Sequence, residues 1–409
     1  MTQPTDARAI VRRYYLYRAT ATVGFVTPIF TIFLLRDLSF AQLGTLSGLF
    51  SALLVLGEIP TGYVGDRIGL RNSLVLGAVF KAASLVGFVV AQSFAGYLVL
   101  YVLWAAGLTF DSGALSAWLY EAIADAAGAP DESDPEEPPA SDGGDSSPLD
   151  ESAFTRVRGR GESVNRWTGA ATMIAGGGLY AVDPRLPFLA ATGWVLVGIP
   201  VLLTLPETEA GLDQTPVREV IGVLGAAFTA PPLRSVVAFT ALAFGAISAA
   251  QLYVQPIAVD LLSGVDAVAG LTPEATLGLL YAAFTAVAAV ASYHAETIRS
   301  SLGLRRALLA VPAFFAMKGA LDLSKPLVAQ YLNDRAGSAG RATVLSAAQM
   351  SYAVVRAPLK PLTGAVADFT TPLGAVGALG GGFLLAGTVL ILVAAPVVET
   401  AGAADESPG

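Results

Sequence analysis

The sequence predicts an all-α polytopic membrane protein built as two helical bundles. Three observations carry that prediction. The 409 residues are 54% hydrophobic with a positive mean hydropathy, a balance that soluble domains rarely reach. The apolar residues gather in runs close to the roughly 20 residues that one helix needs to cross the hydrocarbon layer. Two polar intervals, 126–152 and 206–233, interrupt those runs, and the second divides them into two sets.

Taken in order, the runs predict spans at 13–35, 41–65, 73–92, 95–122, 160–182, 186–205, 234–262, 274–297, 307–331, 343–368 and 373–396. Several begin or end at proline, glycine or arginine, as helix ends do. No cleavage site follows the first run, so it reads as a retained helix. Residues 1–205 are expected to form an N-terminal six-helix bundle, 206–233 a cytoplasmic linker, 234–397 a C-terminal bundle and 398–409 a disordered tail. Thirteen arginines between Arg8 and Arg306 fall in segments on one side, against Arg36 and Arg185 on the other. That asymmetry predicts a cytoplasmic N-terminus and a multi-pass protein of the cell membrane.

The net charge of −8 is concentrated. Residues 131–151 hold nine acidic residues and no basic one. This Pro/Ser/Gly-rich tract cannot bury apolar area and is expected to be a disordered, solvating linker. Lysine is confined to Lys81, Lys318, Lys325 and Lys360. Acidic, lysine-poor segments point to a salt-adapted, haloarchaeal source. With no cysteine and only His294, disulfides, thiolate chemistry and His-rich metal sites are excluded. No phosphate loop, Ser/His/Asp set or His-Glu-x-x-His motif is present. The expectation is therefore no enzyme, no cofactor, no metal and no nucleic-acid partner. The Gly176-Gly177-Gly178 run lies in an apolar helix, where small residues permit close packing.

The stretch Gly62-Tyr63-Val64-Gly65-Asp66-Arg67-Ile68-Gly69-Leu70-Arg71 lies between the second and third runs and reads as a short loop. Gly62 would let another helix approach closely. Gly69 suits a reversal with unusual backbone angles, Asp66 a neighbouring helix N-terminus, and Arg67 and Arg71 a cytoplasmic anchor. This pattern, with Glu58-Ile59-Pro60-Thr61-Gly62 before it, resembles the loop between helices 2 and 3 of major facilitator superfamily (MFS) transporters. The basic residue that often follows is replaced by Asn72. Phe110 to Glu121 resembles a stretch of helix 4 in facilitator-type exporters, and Arg341 to Ser346 an entry into helix 11. The resemblance implies twelve helices in two bundles, Asp66 capping helix 11, and Glu121 paired with Arg71, with Asp125 as a competitor. Phe314 to Gly319 and Lys325 to Leu327 resemble the tenth helix of relatives. The ninth is then missing, which leaves eleven readable spans. Either the chain makes eleven crossings and its last segments invert, or 307–331 enters and leaves by one face.

Ionisable groups inside spans are costly, about 2.5–3.5 kcal/mol each on insertion scales, and should face the bundle interior with partners. The candidates are Arg18, Glu58, Lys81, Asp111 and Arg166 for substrate binding or ion coupling. Gly62, Asp66, Arg67, Gly69, Arg71 and Glu121 are the candidates for a conformational switch. Lys81 and Asp111 lie nearest the midplane. The second half adds Gln251, Gln255, Lys318, Asp322, Lys360 and Asp368. For each, a structural ion pair that locks helices together is the alternative. The functional expectation is a monomeric secondary transporter that moves a small organic molecule by alternating access. Protons or sodium are the candidate coupling ions and efflux the preferred direction. The competing reading is a sensor or assembly partner with the same fold that transports nothing.

Overall fold

The computed structural model describes residues 7–127, 148–207, 231–263, 270–293 and 341–402. All regular structure among them is helical. The N-terminal half contains α1 (Ala7–Thr20), α2 (Phe30–Leu34), α3 (Phe40–Ile68), α4 (Leu70–Val90), α5 (Phe94–Ala127), α6 (Pro148–Val182) and α7 (Leu186–Leu203). The second half contains α8 (Pro231–Ser263), α9 (Pro273–Tyr293), α10 (Arg341–Phe369) and α11 (Pro372–Gly402). Six of these, α3, α4, α5, α7, α8 and α11, are long and apolar enough to cross a membrane. Proline opens α6, α8, α9 and α11, where its missing N–H leaves no bond unmade. Helix α6 starts at Pro148 and α11 runs to Gly402, so the expected loop 126–152 and tail 398–409 are both partly helical.

The first span is not one helix. It stops at Thr20, passes through turns and resumes at Phe30. The resumed turn returns into the first bundle's core. The Phe33 and Phe188 rings stand 4.3 Å apart, Phe30 meets Trp104 at 5.0 Å, and Phe88 meets Phe188 at 5.8 Å. Tyr17 and Trp118 are also fully buried in that core, so they serve packing and do not offer ring faces to a ligand.

Helix α3 continues to Ile68, and Gly69 alone, at φ +88°, separates it from α4. There is no loop of several residues. A β-carbon at Gly69 would also collide with the Glu207 carboxylate. Gly62 has open space where a packed helix was expected, whereas Gly65 sits against the Ser73 hydroxyl.

The two bundles meet through paired helices. Helix α3 packs on α10 with Gly44 against the Lys360 carbonyl, Gly48 against that of Ala357, and Gly364 against that of Phe40. Helix α6 packs on α9 so closely that a β-carbon at Gly177 would lie 2.6 Å from the Glu274 carbonyl oxygen, and one at Gly278 2.6 Å from that of Met173. Gly176 presses on the broken segment at Phe25, whereas Gly178 has open space. The packing expected of the triplet therefore holds at two of its three glycines.

These contacts fix polarity. Phe40, at the start of α3, meets Asp368, at the end of α10, so the two helices are antiparallel. Gly177, near the end of α6, meets Glu274, near the start of α9. Arg71 and Glu207 place the end of α3 and the end of α7 together. Counting crossings from these, α9 ends on the side where α10 begins. The expected span 307–331 lies outside the described residues, but the described helices on either side rule out the inverted ending. Helix α11 runs back to the side of α1's N-terminus.

Candidate functional site

Four groups of charged and polar residues emerge from this packing. The first is a clasp at the shared end of α1, α3, α4 and α7. The carbonyls just past the end of α7 at Leu203 have no helical partners, and cations are favoured there by the helix dipole. Arg13 donates to the Thr204 carbonyl at 2.8 Å, Arg71 to that of Leu205 at 3.2 Å, and the Trp118 indole to that of Pro206 at 3.0 Å. Glu207 answers in reverse at the start of α4. Its carboxylate accepts from the Arg71 backbone N–H at 3.1 Å and pairs with the Arg71 guanidinium at 3.0 Å. Gly69 leaves the room that carboxylate needs.

Arg71 is thus joined to Glu207, a partner that the resemblance did not imply. Glu207 was missed because it reads as part of a polar linker. Its position directly after the last α7 carbonyls is the signal that could have found it. Arg67 lies over the Tyr63 ring at 4.3 Å. The side chains of Asp66 and Asp125 lie outside the described residues.

The second group is buried. Asp111 on α5 accepts from the Tyr17 hydroxyl with one oxygen and pairs with Lys81 of α4 at 3.2 Å with the other. The Lys81 side chain is 3% exposed and that of Asp111 16%. Close approach of α4 to α5 makes this possible: a β-carbon at Gly107 would lie 2.7 Å from Lys81 Cγ. The sequence reading placed Lys81 and Asp111 at one depth, and the structure joins them. It adds the Tyr17 hydroxyl as a third member.

The third group joins α1 to α6. Arg18 pairs with Glu162, and Arg166 meets the same carboxylate at 3.3 Å. The Asn165 amide donates to the Arg18 carbonyl at 2.9 Å. Glu162 is half exposed, so this set is a helix-to-helix tie at a surface. Glu58 and Glu121 belong elsewhere. They line a cavity of about 510 Å³ formed by α3, α4 and α5, with Gly62, Thr61, Ser73, Thr109 and Ser112 on its walls.

The fourth group stitches one bundle to the other. Gln255 of α8 accepts from the Thr31 N–H at 2.8 Å and donates to the Thr27 carbonyl at 2.8 Å. Both contacts lie where the first span resumes, Thr27 near the end of the break and Thr31 just past it. Asp368 accepts from the N–H groups of Phe40 and Ala41 at 2.8 and 2.9 Å, beside the Ser39/Gln42 capping box of α3. Lys360 reaches the Ser51 hydroxyl at 3.2 Å. One turn away on α10 stands Arg356, which the sequence reading did not single out. Its signal was the four-residue spacing from Lys360. Gln251 is exposed. Lys318, Asp322 and His294 lie outside the described residues.

No family profile matches the chain. One relative found by sequence is an uncharacterized MFS-type transporter, YxaM of Bacillus subtilis (strain 168), 24% identical over 98 residues. That match takes in 24% of this chain and 25% of YxaM, so the chain spans about a quarter of the relative's length. Among solved structures, the nucleoside transporter NupG is similar at a TM-score of 0.74 and 8% identity, over 95% of this chain and 99% of NupG. The peptide transporter POT, in complex with sulfate, is similar at 0.62 and 15%, over 96% and 94% of the two chains. A bacterial homolog of the human lysosomal transporter Spinster, inward-facing and unoccupied, is similar at 0.59 and 16%, over 95% of each. The chain has an all-α polytopic membrane fold similar to that of these solved transporters.

Proposed function

We propose that this chain is a secondary transporter that carries a small organic molecule across the cell membrane by alternating access. The observation that carries the reading is the placement of the inter-bundle hydrogen bonds. Gln255 to Thr31, Asp368 to Phe40 and Lys360 to Ser51 gather between the middle and the Ser39 end. The clasp at Arg71 and Glu207 lies wholly within the first bundle. Two rigid bundles that are hinged at one end can rock about a central site. A broken span at the seam is tolerated where protein satisfies its freed backbone groups, and Gln255 does so here.

With the N-terminus in the cytoplasm, as the arginine asymmetry argues, the sealed end faces outward. Asp111 is the coupling acid, held by Lys81 and Tyr17 until an ion or proton competes for it. The preferred direction is efflux, coupled to protons or sodium, in a haloarchaeal membrane. The test is flux of labelled organic solutes into everted vesicles, with and without an imposed proton or sodium gradient. Gradient-dependent flux that disappears in Asp111→Asn, with protein still in the membrane, supports the reading. Flux identical to that of vesicles lacking the protein removes it and leaves the sensor reading.

A further inference from the structure

We infer that the cargo of this protein is an anion, whose carboxylate or phosphate group is held by Arg356 and Lys360 in the middle of α10. The inference rests on the transporter reading above and names the class of solute.

Placement comes first. Arg356 stands 15 residues inside the start of a 29-residue helix, about 22 Å along its axis, which is membrane depth and not headgroup depth. The large exposed apolar side chains of α10, Val354, Leu362 and Phe369, mark its lipid side. On the helical wheel Arg356 and Lys360 share the opposite face with buried Ala353 and Ala367. That face looks into the seam where α10 meets α3 and α8. Ala357 backs onto Gly48 of α3, and Val355 and Leu359 onto Gly245 of α8.

Charge balance comes second. An intramembrane cation is expected to have a counter-charge. Neither residue has an ion pair among the described residues, where all four pairs involve other cations. Lys360 has only the Ser51 hydroxyl at 3.2 Å and the Ser47 carbonyl at 3.4 Å. Among the described residues the buried Arg356 Nε has no hydrogen-bond partner. Asp368, the acid on the same helix, is occupied by the two N–H groups of α3. In the first bundle the buried cations Lys81 and Arg18 are matched by Asp111 and Glu162. Two adjacent unmatched cations are costly to hold unless a ligand supplies the charge.

The chemistry comes third. A guanidinium presents a planar fork that meets two oxygens of one carboxylate or phosphate, and an ammonium adds a point charge beside it. Serine hydroxyls of α3 complete the donors. The ligand would therefore bridge the two bundles and favour their closure on cargo.

The test uses full-length detergent-purified protein and thermal unfolding with matched probes. Benzoate, citrate and phosphate are compared with the neutral benzamide and the cationic benzylammonium. The expected result is stabilisation by at least one anion and by neither control. The apparent affinity should weaken about tenfold or more in Arg356→Gln and Lys360→Gln, and less in Arg356→Lys. Stabilisation by benzamide or benzylammonium alone, no response to any anion, or an undiminished response in Arg356→Gln would each overturn the inference. If the Gln variants do not fold, the wild-type comparison of benzoate with benzamide still decides. Proteoliposome flux of the same probes separates the two readings. Carriage of neutral or cationic solutes without anion binding removes only this inference. Anion binding without flux of any probe removes only the transporter reading.

Discussion

Asp368 caps the second long helix of the other bundle, accepting from the Phe40 backbone N–H at 2.8 Å. A carboxylate at a helix N-terminus satisfies orphan donors and opposes the helix dipole. The same contact forces α10 to run antiparallel to α3. It therefore places Thr370 with Ser39, on the side away from Arg67. An eleven-crossing chain would place Thr370 with Arg67. The chain contains no cysteine, so single cysteines at Ser39, Thr370 and Arg67 can be labelled in intact cells with an impermeant thiol reagent. Ser39 and Thr370 should react alike and Arg67 oppositely. Matching behaviour of Thr370 and Arg67 would restore the inverted ending.

Gln255 is expected to be the most sensitive polar residue of the seam. Gln255→Leu keeps the volume and leaves the Thr31 N–H and Thr27 carbonyl unbonded, at roughly 1–3 kcal/mol for each buried group. Thermal unfolding should show that loss, and Gln255→Glu should recover only the bond from Thr31. If the leucine variant unfolds at the wild-type temperature, the break in the first span is satisfied by other means.

The clasp predicts a modest coupling. Arg71 and Glu207 are 27% and 32% exposed, so solvent screens the pair and about 1 kcal/mol is expected from a double-mutant cycle. Gly69→Ala should cost more than either single removal, because φ +88° and the Glu207 carboxylate both oppose a β-carbon. Flux should fall in Arg71→Ala and in Asp66→Asn while insertion persists, since a shift of a few kcal/mol in a two-state equilibrium stalls a cycle. Wild-type flux in both variants would remove the switch role.

Lys81 and Asp111 behave differently from that surface pair. Removing one partner leaves a buried charge and should cost about 3–5 kcal/mol. Lys81→Met should therefore be much less stable than Lys81→Met combined with Asp111→Leu. If the double variant is stable and still transports, the pair is only a helix lock. If it is stable and inert, Asp111 serves the cycle. Stability measured by unfolding and flux measured in vesicles are read on the same preparations.

Much of this protein was legible in its sequence because a bilayer leaves few choices. Apolar runs of spanning length become helices, since backbone groups in hydrocarbon must bond within their own segment. The spans at 41–65, 73–92, 95–122 and 186–205 follow from that alone, and so does the shared depth of Lys81 and Asp111. Gly69 was legible too, because a positive φ is a local property. What tertiary structure decided depends on which helix lies beside which. Composition could not break the span 13–35, where Gln255, more than two hundred residues away, bonds Thr27 and Thr31 at the end that resumes. Nor could it place Glu207 beside Arg71, or reveal that no carboxylate among the described residues pairs with Arg356 or Lys360. An ion pair is a matter of a few ångströms between segments, and hydrophobic periodicity carries no record of that distance.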